Sequence, residues 1–222
     1  MNPCPLVLTC RVSAAVAVGM LGIAPLTAQY GVAGGSARGE RSWENNRVRV
    51  TQLSLEPGAA LPAGANQVLV YMTAGPDGIL PAEAVWQPAG VDVRNEGRTR
   101  VEAIAIELKD APPTVAGGTP PEALDGHAGV RVTTLIDNPQ VLVAKHRYAP
   151  SVSAGPWHFH PEDVLVVYLR GGYTWPADGL WRGYSGASRL LRGDVDVIPA
   201  NAIHRLGNAG SDPLELLVIV PR

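Results

Sequence analysis

The sequence predicts an all-β protein made of two tandem copies of one antiparallel unit. Three observations carry that expectation. No segment sustains an apolar period of 3.6 residues. Short alternating or wholly apolar runs recur instead, separated by Pro-Gly, Pro-Asp-Gly and Pro-Ala-Gly turn signals. The pattern of the first half then returns in the second at a spacing of roughly 95 residues. Gly 25 and Pro 20 suit short strands joined by turns better than a helical chain.

The chain opens with what reads as a secretory signal, residues 1–28. Arg11 is the only charged side chain before the apolar run Val12–Ala24. Pro25 ends that run, Leu26-Thr27-Ala28 offers a small residue for cleavage, and no acid occurs before Glu40. Ala33 is a second possible cleavage point. The run is about 13 residues, short of the roughly 20 that span a bilayer. Both cysteines, Cys4 and Cys10, fall inside the signal segment, ahead of that run. The processed chain would therefore hold no disulfide, no thiolate nucleophile and no Cys-ligated metal. The expected address is the periplasm or the outside of a bacterial cell, with no membrane contact after processing.

Residues 29–42 are Gly-rich and read as a flexible leader. Residues 43–110 form the first strand unit, with Arg47–Val50 alternating, Val68–Tyr71 apolar and Val101–Leu108 alternating again. Residues 111–132, rich in Pro and Gly, read as a linker with one short helix near Pro121–Leu124. Residues 133–222 form the second unit. Asn46–Val50 matches Pro139–Val143, Gln67–Tyr71 matches Asp163–Val167, and Asn95-Glu96-Gly97 matches Asn208-Ala209-Gly210. A net charge of −2 argues against a nucleic-acid partner, which needs a basic stripe.

The chemistry concentrates in three of the five histidines. His158 and His160 are two apart in strand-like sequence, so their rings project to one face and Phe159 to the other. His204 follows the turn Pro199-Ala200-Asn201 and precedes Asn208. Imidazoles suit Zn, Cu, Fe and Ni, whereas Mg and Ca prefer oxygen donors. His146, in the strand Val143–Tyr148, aligns with Leu53 of the first unit. It is either a pocket-lining or supporting group or a half-exposed strand residue, and the usual exposure of polar residues favours the latter. His127, between glycines, is expected in solvent.

These residues resemble the cupin superfamily. Its second motif is Gly, five residues, Pro-x-Gly, two residues, His, three residues, Asn. Gly193, Pro199, Asn201, His204 and Asn208 occupy those positions, with Asn201 in place of the middle Gly. Asn is the residue next most tolerant of a left-handed turn. The first motif is His-x-His, three or four residues, Glu, six residues, Gly. His158, His160 and Gly171 match, but Val164 stands where the family has its metal-binding Glu, and Gly155 lies closer to His158 than the leading Gly should. In the first unit the corresponding positions read Pro62-Ala63-Gly64 and Val91-Asp92-Val93, which hold no histidine.

The resemblance implies tandem double-stranded β-helix barrels of jelly-roll type. The first would be degenerate and metal-free, and the second would hold a divalent transition metal on His158, His160 and His204. Iron is the first choice, with Zn, Mn, Ni or Cu as alternatives. Some cupin dioxygenases use a three-histidine iron site. The resemblance therefore implies oxygen-dependent oxidation of a small chelating substrate, with a non-catalytic sugar or small-ligand module and a metal-dependent isomerase or lyase as the other readings. With Val164 pointing inward the ligands are neutral, which favours an anionic ligand, and open coordination positions remain. Glu162 could replace the missing acid through a loop shift. Otherwise Glu162 and Asp163 are rim charges, while Asn208 satisfies backbone groups at a turn. Trp157, Tyr168, Tyr173, Trp175, Trp181 and Tyr184 are expected in packing more than in a pocket. Arg205 should point away from the histidines. The partner is a small molecule, and pairing of sheet edges could give a homodimer. No Gly-x-Ser-x-Gly elbow, phosphate-binding loop or His-Glu-x-x-His occurs.

Overall fold

A computed structural model describes residues 42–61, 64–110, 121–127, 129–152, 155–175 and 188–222. The expected signal peptide and nearly all of the leader lie outside these residues, as do Pro62, Ala63, Trp181 and Tyr184. Within the described residues no helix is long and apolar enough to cross a membrane.

The fold is all-β, with jelly-roll-like antiparallel sheets. The first half contains β1 (Ser42–Glu44), β2 (Val48–Leu55), β3 (Ala60–Leu61), β4 (Gln67–Tyr71), β5 (Ala84–Gln87), β6 (Val93–Arg94) and β7 (Val101–Leu108). The second contains β8 (Val130–Asp137), β9 (Val141–Tyr148), β10 (Val164–Arg170), β11 (Gly172–Trp175), β12 (Ser188–Leu190), β13 (Val195–Ile198), β14 (Gly207–Asn208) and β15 (Leu214–Pro221). Among the described residues the helical content is two short 3-10 turns, Pro76–Gly78 and Pro121–Leu124. Each half builds one five-stranded sheet, ordered β1-β2-β7-β4-β5 and β8-β9-β15-β10-β13, so the two orders correspond strand for strand. A small sheet, β3-β6 or β12-β11-β14, accompanies each.

The repeat extends to side-chain chemistry. The carboxamide oxygen of Asn45 accepts from the Arg47 and Val48 N–H groups at 2.8 Å, and that of Asn138 accepts from Gln140 and Val141 at 2.9 Å. Both turns open the second strand of a hairpin by satisfying N–H groups that no strand yet pairs. Buried Asn95 donates to the Leu55 and Thr99 carbonyls and accepts from Gly97 N–H. Asn208 does the same with Ala149, Asp212 and Gly210.

Strand alternation sorts the apolar residues into three cores. Val48, Val50, Val68, Val70, Ile104 and Ile106 of the first half pack with Val141, Val143, Leu165, Val167, Leu217 and Ile219 of the second. The opposite faces close separate interiors: Leu53, Leu69, Tyr71, Val101 and Ala103 in the first half, and Val130, Tyr148, Val164, Val166, Tyr168, Leu214 and Leu216 in the second. All of this lies in one compact unit.

The structure fixes one strand start and one strand register. β8 begins at Val130, where the strand-like pattern resumes in the sequence, and Val130 pairs with Tyr148 and is buried beside Leu124. The repeat is also offset by one residue in β4. Val68 pairs with Ile106 and Leu165 with Ile219, all in the shared core, so Val68 corresponds to Leu165 and not to Val164. β4 is buried on both faces, so its sequence has no alternation to set the register.

Because the two sheets share a core, truncation on one side should weaken the whole protein. Ile106→Ala is expected to cost about 2–5 kcal/mol. In urea titrations, tryptophan fluorescence and circular dichroism should report one common, lowered midpoint.

Candidate metal centre

The centre begins with a backbone pair. His158 N–H donates to the His204 carbonyl at 2.9 Å, and His204 N–H donates to the His158 carbonyl at 2.8 Å. Residues that exchange both bonds stand directly opposite in an antiparallel pair, with side chains on one face. His160, two residues beyond His158, shares that face. Asn201 N–H donates to the His160 carbonyl at 2.6 Å, which ties the turn before His204 to the same segment. Asn201 adopts φ 62, the left-handed conformation that the second motif requires.

All three imidazoles are buried. Their ring centroids lie 4.2 Å (His158–His204), 5.1 Å (His160–His204) and 5.2 Å (His158–His160) apart. One ligand nitrogen from each lies within 4.8 Å of the others. Bonds of about 2.0–2.1 Å to one ion would bring such nitrogens to about 3 Å, a difference that small ring rotations close.

The tautomers are set locally. His158 Nδ1 lies 2.9 Å from the Pro156 carbonyl and His204 Nδ1 lies 3.0 Å from the Ala202 carbonyl. A carbonyl only accepts, so each Nδ1 carries the proton and each Nε2 keeps its lone pair for an ion. Burial pushes the His204 imidazole down to about 4, against the opposing pull of the Ala202 carbonyl. Burial also lowers His158, opposed by the Pro156 carbonyl. In His158 and His204 the Nε2 atoms are left to face an ion, and with His160 beside them the three convergent imidazoles suit a divalent transition metal, so the donor set fits one.

The neighbouring predicted residues fall as follows. Val164 is fully buried and points into the second-half interior. Glu162 does not turn toward the histidines. Its Oε2 sits 2.6 Å from an Arg47 guanidinium nitrogen of the first half, and both side chains are buried. Asp163 accepts from Asn45 Nδ2 and from Ala200 N–H, each at 2.9 Å. The rim-charge expectation is corrected for Glu162, which is buried, while Asp163 is half-buried. The reason is tertiary: the first half supplies Arg47 and Asn45, and nothing local announces them. Gln52 Nε2 adds a bond to the Gly193 carbonyl at 3.1 Å. Sequence reasoning missed Asn45, Arg47 and Gln52 as supports of the site.

His146 also differs from expectation. It is 1 % exposed, not half-exposed. A signal was present: Leu142, Ala144, His146 and Tyr148 alternate with Lys145 and Arg147, and the charged pair claims the other face. Burial pushes its imidazole down to about 4, with the charge of His158 adding to the effect. Asn208 ends β14 at the start of the following turn, bonded to backbone as described above. Trp157, Phe159 and Ile203 face solvent, and the Arg205 guanidinium stacks over Trp157 at 4.6 Å from the ring centre. Tyr168 is buried in the second-half interior, whereas Tyr173 is exposed.

No family model matches the sequence, and no curated protein matches it. Solved structures do. A cupin 2 conserved barrel domain protein from Leptotrichia buccalis aligns with TM-score 0.55 and 17% identity over 85% of this chain and 92% of that one. A salicylate 1,2-dioxygenase from Pseudaminobacter salicylatoxidans aligns with TM-score 0.57 and 9% identity over 81% and 75%. AerE from Microcystis aeruginosa aligns with TM-score 0.55 and 12% identity over 82% and 97%. At these identities the likeness is one of fold.

Two predictions follow from this geometry. Breaking the buried Arg47–Glu162 pair on one side should cost about 3–5 kcal/mol, because the remaining charge loses its buried counter-ion. Arg47→Met and Glu162→Leu should each show this in urea unfolding, and the double variant should recover most of the loss. The second concerns pH. His146 and His204 titrate near 4 in the fold and near 6.5 when unfolded, so the unfolded chain binds more protons between those values. Stability of the metal-free protein is then full above pH 6.5 and falls as pH drops toward 4. The loss is about 3 kcal/mol per group, measurable as a falling melting temperature across that window.

Proposed function

We propose that this chain, which has the cupin fold, is an exported metalloprotein that holds a divalent transition ion, iron first, on His158, His160 and His204. On this reading it uses the ion to oxidise a small chelating substrate with O₂. The observation that carries the proposal is the buried triad with Nδ1 of His158 and His204 fixed on local carbonyls. Such an ion supplies Lewis-acid and one-electron chemistry at open coordination positions. The chain's own residues do the rest. The imidazoles act as ligands and not as acid–base groups, since burial keeps His158 and His204 neutral. With Val164 in place of an acid and Glu162 held by Arg47, the triad brings no negative charge to the ion. That favours an anionic ligand binding through two oxygens. The apolar interior of Val164, Val166, Leu214 and Leu216 excludes water around it.

Similarity in fold to a salicylate 1,2-dioxygenase makes phenolic acids reasonable first substrates. The N-terminal pattern around Arg11 and Val12–Ala24 supports export, and a small molecule is the expected partner.

The test is metal analysis followed by oxygen uptake. The purified chain should carry about one ion, and His204→Ala should lose it, because two imidazoles leave the site a ligand short. Iron-loaded protein should consume O₂ with a phenolic acid, a diketone or a flavonol. Bound zinc with no uptake on any of these would refute the oxidative reading, and absence of any bound ion would refute the metal reading.

A further inference from the structure

The metal ligands leave one buried imidazole unused. His146 lies on the inward face of β9, the face that also carries Tyr148 into the second-half interior. Across the sheet it is flanked by Val132 on β8 and Leu216 on β15, both apolar. Neither ring nitrogen has a hydrogen-bond partner. It lies close enough to His158 for a charge on one ring to oppose a charge on the other. The Tyr148 ring lies 6.3 Å away by centroid.

A buried polar ring without partners is a cost to the fold that an apolar residue would avoid. In the first half the same strand position is Leu53, packed in the apolar interior, so the scaffold accepts leucine there. We propose that His146 is a ligand-positioning residue. It would donate from one ring nitrogen to an oxygen on the far end of the small chelating anion whose near end occupies the metal centre. This rests on the metal reading above. The ligand class is narrowed accordingly: two chelating oxygens at one end, a flat or compact apolar body against Val132 and Leu216, and a hydrogen-bond acceptor at the other end. Burial keeps the ring neutral near pH 7, so it offers one donor and one acceptor and no charge.

The probe is 4-nitrocatechol, which has this layout and a visible absorption that moves on chelation. Protein loaded with iron(II) without oxygen is titrated as wild type, His146→Leu and His146→Gln, with metal affinity and melting temperature recorded for each. His146→Leu is expected to bind iron as wild type does, to melt higher when metal-free, and to bind the probe about tenfold more weakly. His146→Gln keeps an N–H donor and should recover part of the probe affinity; a purely packing role predicts no such rescue. Probe affinity within twofold of wild type in His146→Leu overturns the assignment and leaves the metal reading intact. Equal loss of iron and probe also overturns it, since His146 would then be supporting the ligands. A wild-type chain that takes up no iron overturns both.

Discussion

Everything chemical in this molecule depends on the two hydrogen bonds exchanged between His158 and His204. They join segments that sequence keeps far apart, and they decide more than proximity. Because the two residues stand directly opposite, their side chains must leave the backbone on the same side. The carbonyls that fix the two Nδ1 protons belong to Pro156 and Ala202, each two residues upstream of its histidine. Ring orientation is therefore written into the same short stretches that make the pair. Asn201 closes the arrangement, turning the chain at φ 62 and bonding the His160 carbonyl. The centre is held by main chain, and it needs little from surrounding side chains to keep its shape.

Those side chains govern the charge instead. Two acids follow directly after the His-x-His segment, and each could have competed for a cation. Glu162 is neutralised by Arg47 and turned away, and Asp163 is occupied by Asn45 and the Ala200 N–H. The triad stays a set of imidazole donors with no acid among them. A divalent ion there keeps its full charge, and in a low-dielectric setting that charge attracts an anion strongly. The first half, which holds no histidine, thus shapes the electrostatics of the second by absorbing its acids.

Much of this was legible in the sequence, and what was not has a physical pattern. Periodicity of two placed His158 and His160 on one face. The Asn-centred turns at Asn95 and Asn208 and at Asn45 and Asn138 are local chemistry, which recurs wherever the chain repeats. The one-residue offset in β4 was hidden because a strand buried on both faces has no alternation to read. Arg47 and Asn45, the partners of Glu162 and Asp163, were hidden because they come from the other half of the chain. His146 is the instructive case. Exposure statistics pointed outward, while the alternation of Leu142, Ala144 and Tyr148 against Lys145 and Arg147 pointed inward. The local pattern prevailed because a strand cannot turn one side chain over without turning its neighbours.

The two halves show how one scaffold divides stability from chemistry. Both have the same strand order, the same capped turns and the same contribution to the shared core. Their interiors differ. The first is closed by Leu53, Leu69, Tyr71, Val101 and Ala103, with ordinary apolar packing. The second gives over part of its interior to four imidazoles, each costly to bury and three of them aimed at one point. A lone barrel carrying that burden would fold with a thinner margin. Fused through Ile106, Val68, Leu165 and Ile219 to a partner whose interior carries no imidazole, it gains a second source of burial that asks nothing of the site. On this view the degenerate half is not a remnant beside the working one. Its shared core and its Arg47, Asn45 and Gln52 contacts let the second half keep buried imidazoles where an independent domain would need leucine.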